Sequence, residues 1–431
     1  MRTALGPLRL PGFPNLGLAY LVNELGNWLG EIALAILVYD QTGSPLATAA
    51  LFCGMHFAPA VLAPPLVSRV EALPVRVVLP GLYAAEAAVF VLLAVTVDSF
   101  ALALVLGLAI VDGSLASAAR ALTRAAATAV LAPAGQLREG NALLNIAFTV
   151  GAAGGPAIAG VVVAGAGVET ALIADAISFM AVAGLLVVAR RLRLPEPEEA
   201  EARWTERLRR GLAYVRERPA LRRLLGAQAL AFIFFALVIP IEVVFAKETL
   251  DAGDAGYGAL LASWGLGMVA GSLVFAAMRR VPLRLLLAAS TLAIGVAYLA
   301  TSISPTLFLA CVASFVGGTG NGVQWIGLVT SVQELTRAAY QARVLSLLEA
   351  LASAMPGIGF LLGGSIAAIF EPRVSYAVAG AGVLAVLAVA AVRLRRVEWA
   401  PELEQGPQDG LQDGASSVAA AGSSRTALTR P

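Results

Sequence analysis

"YLVNELGNWLGEIALAILVYDQTGS", residues 20–44, decides how the rest of the chain is read. About 20 mostly apolar residues suffice to cross the hydrocarbon core of a bilayer, and this stretch qualifies. Yet it carries Asn23, Glu24, Asn27 and Glu31. A charge at the centre of a membrane helix costs about 2.5–3.5 kcal/mol on insertion scales. Arg2 and Arg9 ahead of an apolar run would also suit a cleavable signal peptide. The glutamates interrupt that run and no small-residue cleavage pattern follows. The segment therefore reads as a retained transmembrane helix whose polar residues face protein.

Composition extends this reading to the whole chain. Of 431 residues, 59% are hydrophobic and 13% charged, against about 45–50% and 25% in soluble domains. A soluble protein could not cover so much apolar surface. The formal net charge of +2 makes no case for a nucleic-acid partner. Cys53 and Cys311 both lie in apolar runs, so no disulfide framework is expected. His56 is the single histidine, too few for a multi-histidine metal site. No G-x-x-x-x-G-K-[ST] phosphate loop occurs. Neither a catalytic constellation nor a cofactor or metal site is expected.

Twelve stretches are long and apolar enough to span: 16–39, 46–66, 77–97, 99–121, 140–164, 168–190, 221–246, 256–278, 283–302, 305–330, 342–368 and 372–393. Turn signals such as "TGSP" (42–45), "DAGDAG" (251–256) and "SISP" (302–305) separate them. Arginines mark alternate connections: Arg69 and Arg76, then Arg120, Arg124 and Arg138, then a dense run from Arg190 to Arg223. Arg279, Arg280, Arg284, Arg337, Arg343, Arg393, Arg395 and Arg396 complete the set, while the other connections hold only Lys247 and Arg373. By the positive-inside rule, both termini are expected in the cytoplasm of a multi-pass cell-membrane protein. The fold class expected is all-α.

The connection after span six begins with Pro and Glu and turns amphipathic, with Trp204, Leu208, Leu212 and Val215 at helical spacing. It reads as a helix lying on the cytoplasmic face. The expected organisation is a six-helix bundle over 1–190, this linker over 191–220, a second bundle over 221–396, and a disordered tail over 397–431.

The two halves resemble each other. "NIAFTVGAAGGPAIAG" (145–160) superposes on "EALASAMPGIGFLLGG" (349–364), displaced by 204 residues, so Gly155 meets Gly359 and Gly160 meets Gly364. The same displacement sets span five on span eleven. Two repeated six-helix halves with a basic linker form a transporter layout in which the site lies between the halves at mid-membrane.

Within span five, "GAAGGPAIAG" holds Gly151, Gly155, Pro156 and Gly160. Small residues let a neighbouring backbone approach, and the proline is expected to open a local kink. The stretch resembles the antiporter motif of the major facilitator superfamily, a G-x-x-x-G-P pattern followed by a small pair, here Ala159 and Gly160. "YDQTGSPLATAAL", "ADAISFMAVAGLL" and "QARVLSLLEAL" are similar to the efflux branch that contains macrolide, multidrug and siderophore exporters. The loop between helices two and three departs from the family pattern. In "PPLVSRVEALPVR" Pro64 replaces a glycine and Ser68 an aspartate, while Arg69 and Arg76 remain as the conformational loop.

The resemblance implies a secondary active carrier working by alternating access. It would export a small lipophilic or amphipathic compound against protons, as a monomer in the lipid bilayer. A facilitator or importer of a small metabolite is the alternative within transport, and a non-transporting scaffold or sensor is the alternative outside it. Glu24, Asn27 and Glu31 are spaced by three and four and form one helical stripe, so Glu24, Glu31 and mid-span Asp112 are the proton-coupling candidates. Candidates for the substrate cavity are Asn23, Asn27, Asn145, Asn321, Gln324, Trp325 and Glu349. Glu86 and Asp175, on helices three and six, are expected to be structurally paired. Arg120 is expected to snorkel at a helix end, and His56 to be a bonded core histidine.

Overall fold

Helix α1 (Phe13–Thr42) starts behind Gly12 and stops at Gly43, whose φ of 57° is left-handed and whose N–H donates to the Tyr39 carbonyl at 2.7 Å. Ser44 then caps the next helix by accepting the Ala47 N–H at 3.3 Å. Two residues of turn thus reverse the chain, as "TGSP" implied. In this computed structural model residues 5–60, 62–63, 66, 74–188, 204–278 and 280–394 are described. Arg69, Glu71 and the tail over 397–431 lie outside them.

Helix α2 (Pro45–Phe52) continues into a π turn, Cys53–Phe57. Helices α3 (Val75–Val95) and α4 (Leu102–Leu131) follow. Leu137–Val188 is one helical run except at Gly167, where φ 85° and ψ 166° divide it into α5 (137–166) and α6 (168–188). An L side chain resists that backbone, and glycine accepts it. Helix α7 (Trp204–Glu217) is the linker helix. Helix α8 (Pro219–Ala236) runs on through a 3-10 turn at Ile239–Ile241 to a π turn at Phe245–Thr249. Then come α9 (Gly253–Ala277), α10 (Leu283–Ile303), α11 (Leu307–Glu334), α12 (Ala338–Ile369) and α13 (Pro372–Leu394). The twelve spans are α1–α6 and α8–α13, and the protein is an all-helical, multi-pass membrane protein.

Several sequence expectations change. Pro156 sits inside α5 without breaking it; the non-helical residue of that run is Gly167, eleven residues on. Helix α4 extends ten residues beyond the expected end of span four, which leaves Arg120, half-buried, and Arg124, exposed, well short of its end. Arg120 therefore does not snorkel at a terminus.

One end of the molecule carries α7 and the arginine-rich connections and is called the basic end; the other is the far end. At the basic end α7 packs on the second bundle. Tyr214 and Val215 are buried with Leu335, Val344 and Leu347. The Tyr214 ring stacks on Tyr340 at 4.2 Å, and its hydroxyl accepts the Arg337 N–H at 3.0 Å. Leu212, expected on the apolar face, is 49% exposed, so the docking face is centred one turn edge away, on Gly211, Tyr214 and Val215.

The internal repeat has a structural counterpart. A Cβ at Gly155 would meet Trp28 of α1, and one at Gly359 would meet Ile233 and Ala236 of α8. A Cβ at Gly160 would stand 2.8 Å from Gly258 Cα on α9, and one at Gly364 would meet Ala49 and Pro45 of α2. Helix five thus touches one and eight as helix eleven touches seven and two. Lipid supplies no hydrophobic force between helices, so such close backbone packing does much of the holding.

Candidate functional site

Helix α1 displays acidic residues at successive depths along its axis. Glu24, buried at 7% exposure, lies against Gly151 of α5, where an added Cβ would stand 2.8 Å from Glu24 Cβ. It hydrogen-bonds Tyr20 and faces Arg120 and Arg124 of α4. Two turns further, about 10 Å along the axis at 1.5 Å per residue, Glu31 Oε2 lies 3.6 Å from His56 Nε2. The imidazole stacks on Phe52 at 5.9 Å and lies 6.1 Å from Phe360 of α12. Asp112, on α4, interacts with both Glu31 and His56. At the far end Asp40 pairs with Lys247.

The second bundle answers with Glu242. The 3-10 turn around Pro240 precedes Glu242, which lies near Tyr376 of α13 and faces Glu31 across the seam between the bundles. Tyr257, Tyr298 and Tyr376 are buried around it. The Tyr298 and Tyr376 rings join Phe245 and Trp264 in one aromatic group, with Phe245–Tyr376 at 4.7 Å and Trp264–Tyr298 at 5.6 Å. The sequence reads His56 as a bonded core histidine; the structure sets it beside Glu31 and brings Glu242 opposite. Their partners lie on other spans, so local spacing carried no signal of the pairing.

Other candidates disperse. Asn27 is half-buried. Asn23 is not a cavity residue: it is buried at 3% with its Oδ1 unpartnered. It shares, by helical spacing, the face of Gly26 and Gly30 that meets Asp175 of α6. Asn145 and Glu349 are exposed on α5 and α12. Gln324 donates to Thr291 Oγ1 at 2.9 Å, so its amide is already bonded inside the second bundle. With Asn321 and Trp325 it lines a small void of about 40 Å³ between α8 and α11. Gln324, Gln228 and Thr291 also line a cavity of about 540 Å³ among α8, α10 and α13, otherwise mostly leucine, alanine and valine, with Arg284 near the basic end. Displacement by 204 residues sets Glu24 on Gln228. Arg76 is exposed at the start of α3.

The span-five motif makes its contacts as small residues should. Gly151 and Gly155 receive Glu24 and Trp28 of α1, while the Pro156 carbonyl and Gly160 meet Gly258 of α9. The bundles touch from the far end, at Asp40–Lys247 and Gly160–Gly258, to mid-span, where a Cβ at Gly265 would meet the Ala152 carbonyl. Towards the basic end α5 is exposed over much of its circumference, with Ile146 at 59% and Phe148 at 41%. The seam is closed at the far end and looser at the basic end.

Twelve spans in two pseudo-symmetric bundles, with paired polar residues in the seam, define a membrane transporter of the major facilitator type. The chain belongs to the transmembrane secretion effector family of that superfamily, whose profile it matches over residues 2–417. Solved structures share the fold. The nucleoside transporter NupG aligns with a TM-score of 0.69 at 12% identity, covering 90% of this chain and 100% of that one. A bacterial homologue of the iron transporter ferroportin, in an inward-facing state, gives 0.69 at 15%, covering 89% and 99%. A bacterial homologue of the human lysosomal transporter Spinster, inward-facing and occupied, gives 0.68 at 12%, covering 89% and 96%. No curated protein matches the chain.

Proposed function

We propose that this transporter exports a small lipophilic or amphipathic compound in exchange for protons, with its basic end and both termini in the cytoplasm. The observation that carries the reading is the seam itself: Glu31, paired with His56 on the first bundle, faces Glu242 on the second. Opposed carboxyls share a proton more readily than they carry two negative charges. When the bundles part, the opposition is relieved and water reaches the groups. Proton occupancy is then tied to conformation, which is the requirement for a gradient to bias alternating access.

The cavity of about 540 Å³, which lies within the second bundle among α8, α10, α11 and α13 and not in the seam, supports the substrate class. Its size falls in the range of about 300–1,000 Å³ typical of small-molecule sites. Its apolar wall, broken by Gln228, Thr291 and Gln324, suits a largely apolar molecule with one polar group. The span-five motif and the arginine distribution support the direction and the orientation.

The test is transport in inverted vesicles with an imposed pH gradient, screened over lipophilic compounds. Uphill accumulation that collapses with the gradient upholds the reading. Equilibration indifferent to pH would replace it with facilitation.

A further inference from the structure

Three carboxyls in the first bundle take no part in the seam pairing just described, or touch it only at its edge. Glu86, on α3, is fully buried and neither of its oxygens has a hydrogen-bond partner. Asp175, on α6, is fully buried; its Oδ1 accepts from Ser178 Oγ at 3.0 Å, and its Oδ2 has no hydrogen-bond partner. Asp112, on α4, is 6% exposed with Oδ1 unpartnered. These side chains interact with one another: Glu86 with Asp112 and Asp175, and Asp175 with Asp112. Glycines make the room, since the Asp175 carboxyl occupies the place where Gly26 and Gly30 of α1 would carry side chains.

An ionised carboxylate without hydrogen bonds in such surroundings is costly by many kcal/mol, and the usual escape is to become neutral. Arg120 is the cation that faces Glu86 and Asp112. It also faces Glu24, which Arg124 shares, and one guanidinium cannot offset the charges of Glu86, Asp112 and Asp175 together. A metal ion is the other escape. Among the described residues no three His, Cys, Asp or Glu side chains are placed to hold one.

We propose that Glu86 and Asp175 form a proton-holding site inside the first bundle, behind the seam, which exchanges with Glu31 and His56 by way of Asp112. The groups around it are Asp112 and Arg120 from α4 and Tyr83 from α3, while the Gly30 backbone and Ser178 face Asp175 from α1 and α6. Asp112 is the link because its charge acts both on Glu86 and Asp175 and on Glu31 and His56. Each transfer breaks one O–H or N–H bond and forms another, between carboxyl oxygens or, at His56, between a carboxyl oxygen and the imidazole Nε2. The carrier then holds protons in reserve deeper than those in the seam. The use of that reserve rests on the proton-exchange reading above; its existence does not.

Infrared spectroscopy of the purified full chain separates the two, because it needs no transport. Neutral carboxylic acids show a carbonyl band that carboxylates lack and that shifts in D2O. At neutral pH the wild type should show this band, Glu86→Gln and Asp175→Asn should each remove part of it, and exchanging sodium for choline should leave it unchanged. A band identical in both folded variants overturns the proposal, as does one that disappears when sodium is added, which would mark a cation site. Should one variant not purify as a monodisperse protein, the wild type and the other decide. No acid band in the wild type overturns the site, and a band diminished in the remaining variant upholds it. Loss of pH-driven transport with the bands intact would sink the exporter reading alone.

Discussion

Lys247 Nζ lies 2.5 Å from Asp40 Oδ1, and this ion pair joins the second bundle to the first at the far end. The same ammonium lies 2.7 Å from Asp254 Oδ1 at the start of α9, so the lysine is anchored in its own bundle while it reaches across. The pair forms only while the far end is shut. A partly exposed pair contributes about 0.2–1 kcal/mol, enough to bias two conformations that differ by a few kcal/mol. Lys247→Ala should shift the population towards an open far end by roughly 1.4- to 5-fold, read from distances between spin labels on the two bundles. An unchanged distance distribution would mean that the apolar and glycine contacts alone hold the far end closed.

Gly155 is packed against Trp28. Gly155→Leu has no space, and overpacking costs about 1–3 kcal/mol or more. Transport should be lost, and Trp28→Ala in the same chain should restore part of it. Normal transport by the single variant at normal expression would remove span five from the moving parts.

Glu31→Gln keeps the shape of the side chain but removes the titratable group beside His56. Uphill, pH-driven transport should fall to background while downhill exchange persists. Glu24→Gln should weaken substrate binding rather than coupling, since Glu24 faces Arg120 and Arg124 instead of the opposite bundle. The reverse pattern, with Glu24 alone carrying the pH dependence, would move the coupling site towards the basic end.

Orientation is checked with single cysteines. Ser99, in the connection after α3, and Glu371, between α12 and α13, are both at the far end and exposed. Cysteines there should react with an impermeant maleimide added outside intact cells, whereas one at Glu217, at the end of α7, should react only after permeabilisation. Labelling of Glu217→Cys alone would invert the assignment.

Tyr214 docks the linker helix by stacking on Tyr340 and accepting the Arg337 N–H. Tyr214→Ala should cost about 3 kcal/mol, the range for deleting a buried aromatic ring, and should speed proteolysis within the linker. A cleavage rate equal to wild type would show that α7 is held by its remaining contacts.

The count of spans was legible because length and hydropathy are local properties, and the repeat was legible because Gly155 and Gly160 recur as Gly359 and Gly364. The end of α4 was not. Arginines usually mark the edge of a membrane, and Arg120 and Arg124 broke that rule by facing Glu24 short of the end of α4. Asn23 was misplaced for a related reason. Asn23, Glu24 and Asn27 fall within little more than one turn, and polarity alone does not say which of them meets which neighbour. The Glu31–His56 and Glu31–Glu242 relationships join α1 to α2 and α8, and no spacing along the chain encodes them.

The meeting of Gly160 with Gly258 has a mechanical consequence. Helices usually mesh through interlocking side-chain ridges, and moving one past another means lifting each ridge over the next. Here main chain rests on main chain, with no rotamer to reset and no ridge to climb. Such a surface behaves as a plain bearing: it keeps the two bundles at a fixed spacing while letting one roll against the other, and its smoothness rather than its strength is what any added methyl group would destroy.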